Sequence, residues 1–287
     1  MKDAIVGLGE ILWDVFPQGK VLGGAPANFA YHVSQFGLNG YAVSAIGKDE
    51  LGAEIKQVLK EKKLKTLISE VDFPTGTVQV TLSGDGIPQY EICEGVAWDN
   101  IPFTDALKRL AKQTKAVCFG SLAQRNAISR STIQSFLDEV PKDSMKIFDI
   151  NLRQHFYSRE LVEKSLNQCT MLKINEEEIA ILTEMFGLSG QSESVVVKHF
   201  IQHFQIETVV LTKGTEGSHV TTLDGTSSYL PTPKVKVADT VGAGDAFTGA
   251  FVASLLLGEN IREAHQKAVD VSAFVCTQRG AMPEYVR

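Results

Sequence analysis

The chain has 287 residues, 44% hydrophobic and 22% charged, which is the balance of an ordinary globular protein long enough to bury a large core. Its formal net charge of -6 argues against a nucleic-acid partner held by bulk charge. The four cysteines, Cys93, Cys118, Cys169 and Cys276, show no CxxC spacing, which excludes the usual zinc, redox and disulfide patterns and points to reduced thiols in the cytoplasm.

The N-terminal stretch MKDAIVGLGEILWD carries Glu10 and Asp14, so it makes a poor signal peptide. No apolar run approaches the roughly 20 residues of a membrane-spanning helix. AIVGLG (4–9) reads as a strand, ANFAYHVSQF (27–36) as a helix stopped by Gly37, YAVSAIG (41–47) as a strand, and LGAEIKQVLKEKK (51–63) as a helix. TGTVQVTLS (75–83), Asp85-Gly86 and PQYEIC (88–93) have the alternation and turn of a hairpin, a small appendage to the main sheet. AVCFGS (116–121), KIFDI (146–150), MLKIN (171–175) and TVVLTKG (208–214) are short apolar runs separated by helical segments. A second hairpin is centred on Asp224-Gly225 and reads as a sheet edge. This alternation predicts an α/β fold: a doubly wound, mostly parallel sheet with helices on both faces.

DTVGAGDAF (239–247) is the most informative stretch. Gly242, Ala243 and Gly244 precede Asp245 at a predicted helix start. Bare backbone and free N–H groups there make a pocket for phosphate, or for charge developing on phosphate. Asp245 is expected to stay ionised at neutral pH, since an Asp ordinarily titrates near 3.9. It then has the right form to accept a proton from an attacking hydroxyl. A glycine turn followed by an acid is equally an ordinary helix start. It is not a Walker sequence, because no Lys-Ser or Lys-Thr follows the glycines. In VLGGAPANFA (21–30), Gly23 and Gly24 open a loop before Asn28, whose amide suits a polyol.

GEILWD, GGAPANFA, FDINLR, INEEE, LTKGTEG and DTVGAGDAF, in that order, resemble the PfkB (ribokinase-like) family of carbohydrate kinases, and the likeness runs from Ile5 to about Pro283. The resemblance implies one kinase domain over 1–287 with a small β lid built from about 12–22 and 73–99. It implies Asp245 as the base, the backbone of Gly242, Ala243 and Gly244 as the anion hole, and Asp14, Gly24, Asn28, Asn151 and Arg153 on the sugar side. Thr212, Lys213, Gly214 and Gly217 would face ATP, and Asn175 and Glu178 would meet magnesium through water. Asp239, Val241 and Gly280 match a monovalent-cation site for potassium, although Glu284 departs from the family pattern nearby. Trp98 and Phe103 read as a sugar wall, a hinge or ordinary core. The lid also implies a homodimer.

The GGAPANFA loop, the PTGTVQV strand and DINLR look most like bacterial fructokinases. The expected reaction is therefore transfer of the γ-phosphoryl group of ATP to the 6-hydroxyl of D-fructose, with ribose and 2-keto-3-deoxygluconate as alternative acceptors. A catalytically idle sugar or nucleotide sensor would have no use for Asp245. A dinucleotide oxidoreductase would need the GxGxxG that GLGE does not continue.

Overall fold

The computed structural model describes residues 3–82 and 88–285. The chain runs β1 (Ala4–Leu8), β2 (Leu12–Phe16), β3 (Gly19–Gly23), α1 (Ala25–Gln35), β4 (Asn39–Gly47), α2 (Glu50–Glu61), β5 (Lys65–Val71), β6 (Gly76–Leu82) and β7 (Pro88–Ile92). It continues through α3 (Asp105–Ala111), β8 (Thr114–Phe119), α4 (Ala127–Glu139), β9 (Met145–Asp149), α5 (Arg159–Gln168), β10 (Met171–Asn175), α6 (Glu176–Met185) and α7 (Glu193–Phe204). The last elements are β11 (Thr208–Lys213), β12 (Gly217–Thr222), β13 (Ser227–Leu230), α8 (Ala243–Leu256) and α9 (Ile261–Cys276).

Nine strands form one sheet in the order β13-β12-β11-β10-β9-β8-β1-β4-β5. It is parallel from β11 to β5, and the β12–β13 hairpin adds an antiparallel edge. Successive side chains on a strand point to opposite faces, and the core divides accordingly. Val6 and Leu8 of β1, Val117 and Phe119 of β8, and Leu172 and Ile174 of β10 pack with Ile133, Phe136, Val162, Leu182 and Phe200 from α4 to α7. Their neighbours Ile5, Cys118 and Met171 pack with Phe29 of α1, Phe247 and Phe251 of α8 and Ala268 of α9. Helices therefore cover both faces, as the alternation predicted. Among the described residues no helix is long and apolar enough to cross a membrane.

The order of strands grows outward from β1 in both directions, towards β4 and towards β8. Chain leaving the carboxyl ends of β1 and β8 must diverge, which opens a crevice there. Glu10 follows β1 and Asn151 follows β9 at that same end of the sheet.

The four remaining strands form a separate sheet, β3-β2-β6-β7. The hairpin expected at 75–93 is present as β6 and β7, while its Asp85-Gly86 turn lies outside the described residues. The β2–β3 hairpin was not legible as such, because its turn at Pro17-Gln18 is not one of the strong two-residue hairpin signals. β5 was missed too: KTLISEV is an edge strand of mixed polarity with no fully buried residue. Arg125 anchors the chain where it leaves the small sheet. Its guanidinium grips Asp99 at 2.8 and 2.9 Å, donates to the Cys93 carbonyl at 2.6 Å, and lies between the rings of Trp98 and Phe156. Trp98 is buried core, and Phe103 is partly exposed.

Gly7 of β1 fixes how closely α1 can lie on the sheet. A Cβ at this position would stand 1.8 Å from the Pro26 carbonyl oxygen. Gly7→Ala is expected to lose about 1–3 kcal/mol of stability through overpacking. Denaturant unfolding measures this, and an unchanged midpoint would show that α1 can shift freely.

Candidate active site

α8 begins at Ala243, with Gly242 as its N-cap at φ 76. That left-handed conformation favours glycine. A Cβ there would also come within 2.5 Å of the Ala281 Cβ. The first-turn amides of a helix lack intrahelical acceptors and carry partial positive charge. Gly244 faces Lys173, whose Nζ would lie 3.2 Å from a Cβ at that position. A second, full positive charge therefore stands beside the exposed amides.

Asp245 occupies the third residue of α8, half-buried, and its Oδ2 accepts a hydrogen bond of 2.8 Å from Nδ2 of Asn28. Two stretches 217 residues apart in sequence, both singled out for their glycines, thus meet at one carboxylate. Burial is the largest influence on this group, followed by the nearby Asp149 carboxylate. Asn28, Lys173 and Arg153 pull the other way, and the result is a pKa of about 6. The ordinary value near 3.9 expected from the sequence is corrected here: lost hydration outweighs the helix terminus. At pH 7 the group is still ionised by roughly ten to one, so it can take a proton.

Beneath it lies a pair that sequence reasoning did not select. Lys173 of β10 and Asp149 of β9 are register partners on adjacent strands. Lys173 Nζ stands 3.2 Å from Asp149 Oδ1, and both side chains are almost wholly buried. Oδ1 has no well-aligned hydrogen bond, so the contact is an ion pair rather than a directed bond. Thr248 donates to Oδ2 at 3.1 Å. Burial alone would lower the Lys173 pKa, but Asp149, Glu178 and Asp245 outweigh it and hold the ammonium above its usual range. Lysine and aspartate closing the apolar runs MLK and KIFD were the available signal.

A proton acceptor, the first-turn amides of α8 (that of Ala243 in a long 3.3 Å bond to the Thr240 carbonyl) and a buried ammonium converge at the carboxyl end of a parallel sheet, an arrangement suited to moving a phosphoryl group onto a hydroxyl. Residues 9–285 match the pfkB family of carbohydrate kinases. The chain belongs to that family. It is 30% identical over 308 residues to probable fructokinase-7 of Arabidopsis thaliana, covering 97% of this chain and 88% of the relative. It is 29% identical over 270 residues to an ATP-dependent 6-phosphofructokinase of Thermoanaerobacterium thermosaccharolyticum, covering 92% and 81%. A Vibrio cholerae fructokinase solved with fructose, ADP and calcium ion superposes with a TM-score of 0.80 at 26% identity, over 98% of this chain and 95% of that one. The protein is thus an ATP-dependent sugar kinase of the pfkB family, built on the ribokinase-like fold with its second, small sheet.

The other residues predicted for a pfkB kinase fall into two groups. Asp14 lies on β2 of the small sheet, with its carboxylate over Gly23 and no protein partner among the described residues. Burial raises its pKa to about 6. Gly24 is the N-cap of α1, the helix that carries Asn28. Asn151, at φ 44, and Arg153 follow β9, and the Arg153 guanidinium donates to Asn151 Oδ1 at 3.2 Å and to the Leu152 carbonyl at 3.0 Å.

Towards β10 and β11, Asn175 and Glu178 close a capping box on α6: Asn175 Oδ1 accepts from the Glu178 amide at 2.9 Å, and Glu178 Oε2 from the Asn175 amide at 2.9 Å. Glu178 Oε1 also accepts from the Leu152 amide at 3.2 Å. Thr212, next to last in β11, lies beside the Ile174 carbonyl, and Lys213, which ends the strand, is paired with Glu193 and Glu216 at 3.2 Å each. Gly214 lies against Glu176, and Gly217 packs on the Leu230 carbonyl of β13. Asp239 accepts from the amides of Val241 at 3.0 Å and Gly280 at 3.1 Å, tying the glycine turn to the C-terminal segment, and Glu284 is exposed.

With Asp245 as the expected base, which acts only when ionised, activity is expected to fall as pH drops through about 6. Lys173→Met removes a charge that lowers the Asp245 pKa, so the acid limb should move to higher pH. It also strands a buried Asp149, at a cost of about 3–5 kcal/mol. A pH–rate profile with a parallel melting curve tests both, and an acid limb that stays in place would separate Lys173 from the site.

Proposed function

We propose that the protein transfers the γ-phosphoryl group of ATP to the primary hydroxyl of a ketose, namely the 6-hydroxyl of D-fructose. The observation that carries this reading is the hydrogen bond from Asn28 to Asp245, which joins the sugar loop to the base. Asp245 takes the hydroxyl proton as the oxygen attacks, and the amides of Gly242, Ala243 and Gly244 stabilise the charge of the moving group. Lys173 reinforces that stabilisation from beneath Gly244.

Asp14, Asn28, Asn151 and Arg153 hold the sugar in this scheme. Asp14 is suited to it as an ionisable oxygen pair with no protein partner among the described residues. Because Asp14 rides on the small sheet, closure of that sheet as a lid would bring the sugar to Asp245 and shut out water, the competing acceptor. Its exposed edges also favour a homodimer.

Thr212, Lys213, Gly214 and Gly217 line the path for ATP. The oxygens of Asn175 and Glu178 each already accept from the backbone, which fits a magnesium ion contacted through its waters rather than directly. When bound, that ion neutralises phosphate oxygens. Asp239, Val241 and Gly280 remain the candidates for a monovalent cation.

Fructose is favoured by the GGAPANFA, PTGTVQV and DINLR stretches and by the fructokinases among the relatives. An ATP-consumption screen over fructose, ribose, 2-keto-3-deoxygluconate, tagatose and fructose 6-phosphate tests this directly; indifference to fructose would refute the assignment. Asp245→Asn should keep the fold and ATP affinity while turnover falls by about 10²–10⁴-fold. Asp14→Asn should chiefly raise the KM for sugar, by roughly tenfold or more for one lost charged hydrogen bond. A change confined to the KM for ATP would misplace the sugar pocket.

A further inference from the structure

Glu10 is a buried acid that the transfer scheme above leaves without a task. It follows β1 at the crevice, is only 5% exposed, and its Oε2 is buried with no hydrogen-bond partner among the described residues. Its backbone packs against Gly24, where a Cβ would come within 2.5 Å of the Glu10 carbonyl oxygen. Glu10 therefore abuts the loop that leads to Asn28.

The charges that face it come from several elements. Asp245 approaches from the start of α8, Asp149 from the end of β9, and Arg153 from the loop beyond β9. Cys118 of β8 is also near, and burial holds its thiol in the neutral form. Two of the three charged neighbours are carboxylates. The third, Arg153, already donates to Asn151 and Leu152.

The other acids of the cluster are compensated. Asp245 has the Asn28 amide, Asp149 has Lys173 and Thr248, and Glu178 has two backbone amides. Glu10 has only its own backbone N–H and the more distant charge of Arg153, already engaged elsewhere, to favour the charged form, and burial outweighs both. A buried carboxylate with a free oxygen and like charges nearby is the one that keeps its proton.

We propose that Glu10 works as a neutral carboxylic acid, a positioning residue that holds a proton beside Asp245 so that the negative charge rests on Asp245 alone. The inference rests on the kinase reading and deepens it. Asp245 stays an effective base because an uncompensated acid in its surroundings adds no charge. The phosphoryl group, itself anionic, meets one carboxylate fewer.

The titration behaviour agrees. Burial, opposed by its own amide and reinforced by Asp245, raises the Glu10 pKa to about 7, against about 6 for Asp245. Two interacting acids of this kind titrate as a pair. The working state has Asp245 ionised and Glu10 protonated. It is lost on the acid side as Asp245 takes a proton, and on the alkaline side as Glu10 gives one up.

Glu10→Gln keeps the shape and is neutral at every pH. With whichever acceptor the wild type phosphorylates, its kcat/KM at pH 7 should stay within about tenfold of wild type. The alkaline fall should disappear, while the acid limb from Asp245 remains. An alkaline limb identical in both proteins overturns the proposal, as does a larger loss at pH 7 in a folded variant. The second measurement needs neither the variant nor a substrate: the assigned Glu10 carboxyl resonance of ¹³C-labelled wild-type protein should titrate near pH 7. A midpoint below pH 6 overturns the proposal. Failure of every sugar to be phosphorylated would sink the acceptor reading and leave that titration untouched.

Discussion

A lysine ammonium sealed between two strands is the constraint on which this site depends. Lys173 and Asp149 stand in register on β10 and β9, and burying either alone would cost several kcal/mol. Paired, they place positive charge under the start of α8 without exposing it to water. Around them sit Glu10, Glu178 and Asp245, so the pocket holds more acids than bases, with Lys173 and Arg153 as the cations. Such a pocket is stable only if each acid is bonded, paired or protonated. Three different solutions are visible: backbone amides for Glu178, an ammonium for Asp149, and the Asn28 amide for Asp245.

The same interactions tie the chemistry to the fold. Asn28 reaches Asp245 only because α1 lies close on β1, and Gly7 makes that approach possible by presenting no side chain to the Pro26 carbonyl. Gly249 does the same between α1 and α8, where a Cβ would come within 2.8 Å of the His32 Cβ. The distance between Asn28 and Asp245 is thus fixed by helix packing rather than by flexible loops, as a preorganised site requires.

Apart from β5 at the polar edge, the parallel strands were legible because they are short, apolar and regularly spaced; MLKIN is β10 to the residue. The glycine turn and Asn28 were legible because glycine before an acid, or before an amide, carries a backbone meaning in sequence. Lys173 and Asp149 were not, since each closes an apolar run and only register across two strands shows that they meet. Glu10 was noticed merely as a charge unsuited to a signal peptide. Its burial follows from the divergence of chain at β1 and β8, which no local pattern records. The upward shift of Asp245 was missed for the same reason, because burial by distant segments, not helix position, sets it.

The two sheets divide the work in a way that explains the relatives. The large sheet positions Asp245, the amides at the start of α8 and the Lys173 ammonium, which under the proposed mechanism would serve any alcohol acceptor. The small sheet and the loop after β9 carry Asp14 and Arg153, whose partners would be particular hydroxyls. Proteins that share the first set and vary the second would keep the reaction and change the sugar. Relatives near 30% identity do carry the names of different acceptors, fructokinase and 6-phosphofructokinase. Discrimination between such acceptors rests on a few buried hydrogen bonds, each able to reject an analogue that leaves it unmade. On the proposed reading, specificity is to be sought around Asp14 and Arg153, and the transfer step where Asp245 meets the start of α8.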